Sequence, residues 1–244
     1  MTQNTSSAVM QQRAEPHDSL DDFPTPPWAT RALIEHIIRP QHAVAHLTVR
    51  EPTCNRGYMA RPLKEYFRGV ISTDVFDYGW EGQDCVTDYL FPNSMISAEW
   101  TIFNPPFRLA EQFIMRSFET PGWRGTAAIV RSAFLEGAGR YERLFSVRPP
   151  SIIAQHVERV IMTKGIVRDP SIEYWDEEAQ KMRRPSTATS YCWLIWMRDD
   201  PWNCTRTRWI PPCRVQMERL GDYPKIEQTP ITLAGALNRS LMEP

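Results

Sequence analysis

Apolar residues recur along the chain in two alternating rhythms. Leu33, Ile34, Ile37 and Ile38 share one face of a predicted helix, with Thr25 as its N-cap, Pro26 as its first residue and Pro40 as its end. AHLTVREPT (45–53) reads as a strand running into a turn, after which Met59, Leu63, Tyr66 and Phe67 return to helical spacing. GVISTDVF (69–76) and EWTIF (99–103) are predicted strands, and Leu109, Phe113, Ile114 and Phe118 mark a helix over 109–118. A strand over 126–134 and a helix over 136–145 follow, then two apolar strands, SIIAQHVERVIM (151–162) and ATSYCWLIWM (188–197). This alternation predicts an α/β fold, a mostly parallel sheet with helices on both faces. The polar stretch between the last two strands holds no crossover helix, so the last strand is expected to run antiparallel.

A length of 244 residues suits one α/β core, and one domain is expected over 21–244 after a polar, disordered lead-in at 1–20. Hydrophobic residues make up 42% of the chain, yet no apolar run nears the roughly 20 residues that span a bilayer. The start of the chain lacks the basic-then-apolar pattern of a secretory signal. The five cysteines are odd in number and form no CxxC pair, which argues against a disulfide framework or a zinc site and for a reducing, cytoplasmic setting. A net charge of −1 hides a polarity: residues 1–120 carry 10 basic against 15 acidic side chains, and residues 121–244 carry 18 against 14. A basic face on the second half is therefore compatible with the whole composition.

In open α/β sheets ligands sit at the carboxyl ends of the strands, and three of those ends carry unusual residues: EPTCNRG, STDVFDYG and NPPF. EPTCNRGYM (51–59) is a strand opening through a small-residue turn into a helix; it either cradles a nucleotide-like ligand or serves as a plain connection. Asp74, about 20 residues beyond that turn, is placed to accept hydrogen bonds from a ribose diol, or to cap its own turn. Asp88, near another strand end, offers an acceptor for an exocyclic amino group on a nucleotide-like ligand. At FNPPFR (103–108), Asn104 offers its side-chain carbonyl, and Pro105 a backbone carbonyl that Pro106, lacking an N–H, leaves open. Two acceptors aimed at one point would grip an amino group and favour a pyramidal nitrogen, its lone pair turned to an electrophile. Phe107 adds a flat face for a planar ring, a contact worth about 1–3 kcal/mol for a base.

These segments, in the order DFPTPPWATRALIEHI, EPTCNRGYMA, STDVFDYG, TDYLF and NPPF, resemble the S-adenosylmethionine-dependent amino methyltransferases. The nearest likeness is to phage and prophage DNA adenine-N6 methyltransferases without a large separate recognition domain, and it runs from about residue 21 to 215. The resemblance implies a class I, Rossmann-like fold and S-adenosylmethionine as methyl donor. It also implies that Thr25, Pro26 and Trp28 line the methionine side, with Glu51, Pro52, Cys54 and Gly57 in the turn beneath the cofactor. Asp74 would hold the ribose, Asp88 and Tyr89 would lie near the adenine, and Asn104, Pro105, Pro106 and Phe107 would hold the target base. Asn55 departs from the family, which usually has glycine there; asparagine is among the residues best suited to left-handed backbone angles.

A base inside a duplex cannot reach such a pocket, so a DNA substrate implies base flipping or a single strand. Arg140, Arg143, Arg159, Lys164, Arg168, Lys181, Arg183 and Arg184 are the candidate phosphate contacts. Residues 163–187, with Tyr174 and Trp175, form the candidate DNA-contacting insertion, although Asp176, Glu177 and Glu178 interrupt any basic track. Trp193 and Trp196 are expected in the core, and the histidines show no metal-ligand spacing. Two other readings stay open: an amino methyltransferase acting on RNA or on a protein glutamine, and a relative that binds nucleic acid without catalysis.

Overall fold

The structure, a computed structural model, describes residues 21–176, 179–200 and 204–224. The expected lead-in at 1–20 and the acidic pair Glu177 and Glu178 lie outside the described residues. Ten strands are present among them: β1 (Thr48–Glu51), β2 (Gly69–Asp74), β3 (Cys85–Val86), β4 (Trp100–Phe103), β5 (Gly125–Arg131), β6 (Ile152–His156), β7 (Tyr174–Asp176), β8 (Lys181–Arg183), β9 (Tyr191–Met197) and β10 (Arg206–Ile210). Eight form one sheet in the order β10-β6-β9-β5-β4-β1-β2-β3, and β7 and β8 pair separately as an antiparallel ribbon. Within the large sheet β9 alone runs antiparallel, to both β5 and β6. The carboxyl ends of β1, β2, β4, β5, β6 and β10 therefore lie along one edge.

Helices cover both faces: α1 (Pro27–Leu33), α2 (Ala60–Lys64), α3 (Ala110–Ser117), α4 (Ala138–Arg140) and α5 (Arg214–Met217). Past α1 the helix widens by one residue per turn over Ile34–Ile38, closed by Arg39 N–H on the Ile34 carbonyl at 2.8 Å. The same widening extends α4 through Tyr141–Phe145.

Alternate side chains of the central strands enter two separate cores. Ala127, Ile129, Trp193 and Ile195 face α1 and its extension with Trp28, Leu33, Ile34 and Ile38, whereas Ala128, Val130, Cys192, Leu194 and Trp196 meet Phe113, Ile114 and Leu144 opposite. This period-two division explains why these strands read as unbroken apolar runs: both faces are covered. Trp193 and Trp196 are buried, as expected.

Several boundaries differ from expectation. Pro26, preceding another proline, is held in an extended conformation, so it becomes the N-cap and Pro27 the first helical residue; Thr25 makes no capping bond. The strand expected over 151–162 ends at His156, and Val160 and Met162 turn into the core instead. The antiparallel β9 is followed by one more strand, β10, parallel to β6. β3, β10 and the β7–β8 ribbon escaped the pattern because they lie at sheet edges or outside the sheet and carry mostly exposed residues.

Candidate functional site

The ends of β1, β2 and β4 open a cleft of about 210 Å³. Its wall includes Thr25, Glu51, Pro52, Cys54, Asp74, Asp88, Tyr89, Asn104 and Pro106, bringing together most of the residues singled out from sequence. Phe23, Asn55, Tyr58, Met59, Val75, Tyr78 and Leu90 also contribute.

After β1 the chain turns through Asn55 at φ 48° and Gly57 at φ 77°, both left-handed. Asparagine manages that angle with the help of its own side chain: Oδ1 accepts from Arg56 N–H at 2.7 Å, and Nδ2 donates to Asp22 at 2.7 Å. Its backbone N–H donates to Asp74 Oδ2 at 2.9 Å, and Phe76 N–H donates to Asp74 Oδ1 at 3.2 Å. Asp74 thus ties the two turns together, and Val75 N–H adds a third backbone donor to its carboxylate. Burial pushes its carboxyl up, opposed by those backbone N–H groups. Glu51 is fully enclosed; desolvation, and then the neighbouring Asp74, hold its carboxyl well above the ordinary range. Asp88 accepts from Leu90 N–H at 2.9 Å, so it both shapes its own turn and borders the cleft.

Residues 21–23 form a strap across the site. Asp22 accepts from Asn55 and, at 3.0 Å, from Arg56; Asp21 accepts from Phe107 N–H at 2.6 Å; the Phe23 carbonyl accepts from Asn104 Nδ2 at 2.8 Å. Gly165 N–H adds a bond to the Asp22 carbonyl at 2.8 Å. With Nδ2 occupied, the Asn104 amide leaves Oδ1 without a donor among the described residues. Among the described residues the Pro105 carbonyl likewise receives no hydrogen bond, whereas that of Pro106 accepts from Leu109 N–H. Sequence reasoning missed Asp21 and Asp22; the available signal was a pair of carboxylates immediately before FPTPPW.

Five singled-out residues stand behind the cleft wall rather than on it. Trp28 is buried in the core, edge-on to His156, and Pro26 and Pro105 are buried beside the site. Gly57 faces Trp80, which lies so close that an added Cβ would stand 2.4 Å from the indole. Phe107 is partly buried against aromatic neighbours, Phe23 and Tyr191 at 6.3 and 6.2 Å, with the Arg131 guanidinium 4.3 Å over its ring.

Most of the candidate phosphate contacts already have partners within the chain. Arg143 pairs with Glu111 at 2.6 Å, Arg183 with Asp176 at 2.9 Å and Arg184 with Glu173 at 3.5 Å. Arg140 donates to the Phe134 and Glu136 carbonyls, Arg159 donates to Ala188, and Arg168 stacks on Tyr174 at 3.9 Å. On the ribbon, Trp175 and Met182 are cross-strand partners and both half exposed. Among the described residues no cluster of His, Cys, Asp and Glu is placed to hold a metal ion, and no helix is long and apolar enough to cross a membrane.

The sequence matches no protein-family model and no curated protein. Solved structures do resemble the fold. A type I restriction-modification system methyltransferase subunit from Streptococcus thermophilus aligns with TM-score 0.51 and 10% identity over 74% of this chain and 46% of its own. A protein assigned as the modification subunit of a type I restriction enzyme from Vibrio vulnificus gives 0.50 and 14%, over 77% and 47%. One assigned as an RNA methyltransferase from Pyrococcus horikoshii gives 0.51 and 15%, over 78% and 95%. The chain thus spans about half the length of the two restriction-modification subunits it matches. The likeness shows a Rossmann-like, class I methyltransferase fold.

Proposed function

We propose that this chain is an S-adenosylmethionine-dependent methyltransferase acting on the exocyclic N6 amino group of adenine in DNA, with the base swung out of the duplex or presented by a single strand. In this reading one cytoplasmic methyltransferase domain spans 21–244. The observation that carries it is the Asn104 amide, fixed by the Phe23 carbonyl with Oδ1 left as an open acceptor on the cleft wall; the carbonyl of Pro105, which stands behind that wall, would be the second. Two acceptors and no base suit a planar aromatic amine.

The cofactor fits the groups that folding leaves unsatisfied: the Thr25 hydroxyl, Glu51 Oε2 and the Thr53 hydroxyl are buried around the cleft without hydrogen-bond partners among the described residues. Glu51 and Thr25 would hold the methionine end, Asp74 the ribose diol, and Asp88 and Tyr89 the adenine. When bound, S-adenosylmethionine supplies an electrophilic methyl group on a sulfonium sulfur. Asn104 Oδ1 and the Pro105 carbonyl accept the two hydrogens of the target amine and turn its lone pair toward that methyl. Neither can take up a proton, so the proton leaves to solvent after transfer. Residues 163–187 would contact the DNA, with Lys181 among the phosphate contacts.

The test is nucleoside mass spectrometry of duplex and single-stranded DNA incubated with the protein and S-adenosylmethionine, beside Asn104→Ala. N6-methyladenine with the intact chain alone is the expected result. A second reading, an RNA base as acceptor, is favoured by the near-complete coverage of the Pyrococcus protein; N6-methyladenine in RNA and none in DNA would replace the first reading with it. Methylated protein glutamine, or no product despite cofactor binding, would overturn both.

A further inference from the structure

Arg50, in the middle of β1, is wholly buried, and among the described residues no carboxylate lies within ion-pair distance of it. A buried guanidinium without a counter-ion is costly, so its contacts require a reason. Its Nη1 donates to the Ser94 carbonyl at 2.7 Å, and its Nη2 lies 3.4 Å from the Thr73 hydroxyl. The guanidinium rests 4.8 Å from the centre of the Tyr89 ring. The Ser94 hydroxyl in turn donates to the Tyr89 and Phe91 carbonyls at 2.9 and 2.7 Å. The side-chain hydrogen bonds and the ring contact of Arg50 thus converge on the loop 88–94 and the end of β2. That loop presents Asp88, Tyr89 and Leu90 to the cleft. Apart from its own turns, it is also held by Arg116, which donates to the Phe91 and Pro92 carbonyls from the solvent side.

We infer that Arg50 is a positioning residue: from inside the sheet it bolts the loop 88–94 in place, so that the wall receiving the ring end of the cofactor is formed before the ligand arrives. The ligand identity rests on the methyltransferase reading; the bolt itself does not. A lysine could replace the bond to Ser94 but not the flat contact with Tyr89, and a methionine could replace only the volume.

Amide hydrogen exchange on the unliganded protein, with Arg50→Met and Arg50→Lys beside wild type, tests the bolt directly. Leu90, Phe91 and Ser94 should exchange at least about tenfold faster in Arg50→Met, with the β5 and β9 amides unchanged, and Arg50→Lys should lie between. Unchanged exchange at those three amides, or a uniform rise across the sheet, overturns the proposal. Calorimetric titration with adenosine and with S-adenosylmethionine then reads the consequence: Arg50→Met should weaken both by the same factor, about tenfold, because the ring end is common to both. Loss confined to S-adenosylmethionine overturns the assignment to the ring end. Failure of wild type to bind either ligand counts against the methyltransferase reading, while the exchange pattern still decides the role of Arg50.

Discussion

At the ends of β1, β2 and β4, folding leaves the Thr25 and Thr53 hydroxyls and a Glu51 carboxyl oxygen buried without partners among the described residues. Beyond β5 and β6, and on the β7–β8 ribbon, several of the arginines have been given one: Arg143 has Glu111, Arg183 has Asp176, Arg184 has Glu173. Leaving a buried polar atom unsatisfied costs about 1–3 kcal/mol, whereas an exposed ion pair contributes about 0–1 kcal/mol. The first region therefore gains by taking a ligand, and the second gains little by exchanging one partner for another. The cleft is prepared for a small polar molecule; the ribbon offers a shape and an exposed Trp175–Met182 pair more than a field of free charge.

The sharpest way to break this contrast is at the acceptor end of the cleft. Asn104→Ala should lower the methyl-transfer rate by about 10²–10³-fold, measured as kcat on a saturating oligonucleotide, because it removes one of two acceptors fixed before the reaction. A loss below tenfold would mean that the amide is not the grip. Next in size is Gly57→Ala, which combines a positive φ with a Cβ driven into Trp80; denaturant unfolding should show a loss of about 2–3 kcal/mol. Adding Trp80→Ala should relieve the clash but not the backbone strain, so a double mutant no better than Gly57→Ala alone would refute the packing account.

Glu51 gives a smaller effect with a defined sign. Its folded carboxyl titrates well above the unfolded one, so the native state holds the extra proton. Its contribution to stability is complete below the unfolded carboxyl's range and is lost as pH rises toward the elevated folded value. Glu51→Gln should flatten that fall in denaturation curves taken across the acid-to-neutral range. It should also weaken binding of S-adenosylmethionine, whose ammonium group meets an ionised Glu51 more favourably; equal slopes in variant and wild type would remove Glu51 from both roles. The smallest expected change is in Arg143→Ala and Arg183→Ala, each shifting DNA affinity by less than about threefold at physiological salt. A tenfold loss, with a reduced salt slope, would show that these arginines leave their carboxylates for phosphate.

The central strands were legible because both faces are apolar, and NPPF because two prolines at a strand end admit few structural explanations. Asp74, Asp88 and Asn104 were found by their places at strand ends. The strap was not found, since its work is done by a backbone carbonyl and by carboxylates far in sequence from Asn55, Asn104 and Phe107. Arg50 was hidden for the opposite reason: a cation in TVRE reads as an exposed strand position, and its burial is settled by Tyr89 and Ser94, which pack against it from another segment. The pairing of the arginines was invisible because a charge in a sequence carries no partner with it.

β9 has a consequence for the order in which the molecule can assemble. Gly125 pairs with Met197, 72 positions apart, and β6 reaches β5 only through β9. On a growing chain, β1, β2, β4 and β5 can meet as soon as residue 131 is available, completing the floor of the cleft. β6 must wait for residues 191–197 before it has a strand to pair with on that side, and β10 must wait for β6. Closing that long loop is the slow, entropically costly event. Until it closes, the exposed edge of β5, with Ala127, Ile129 and Val130, is the sticky surface of the nascent chain.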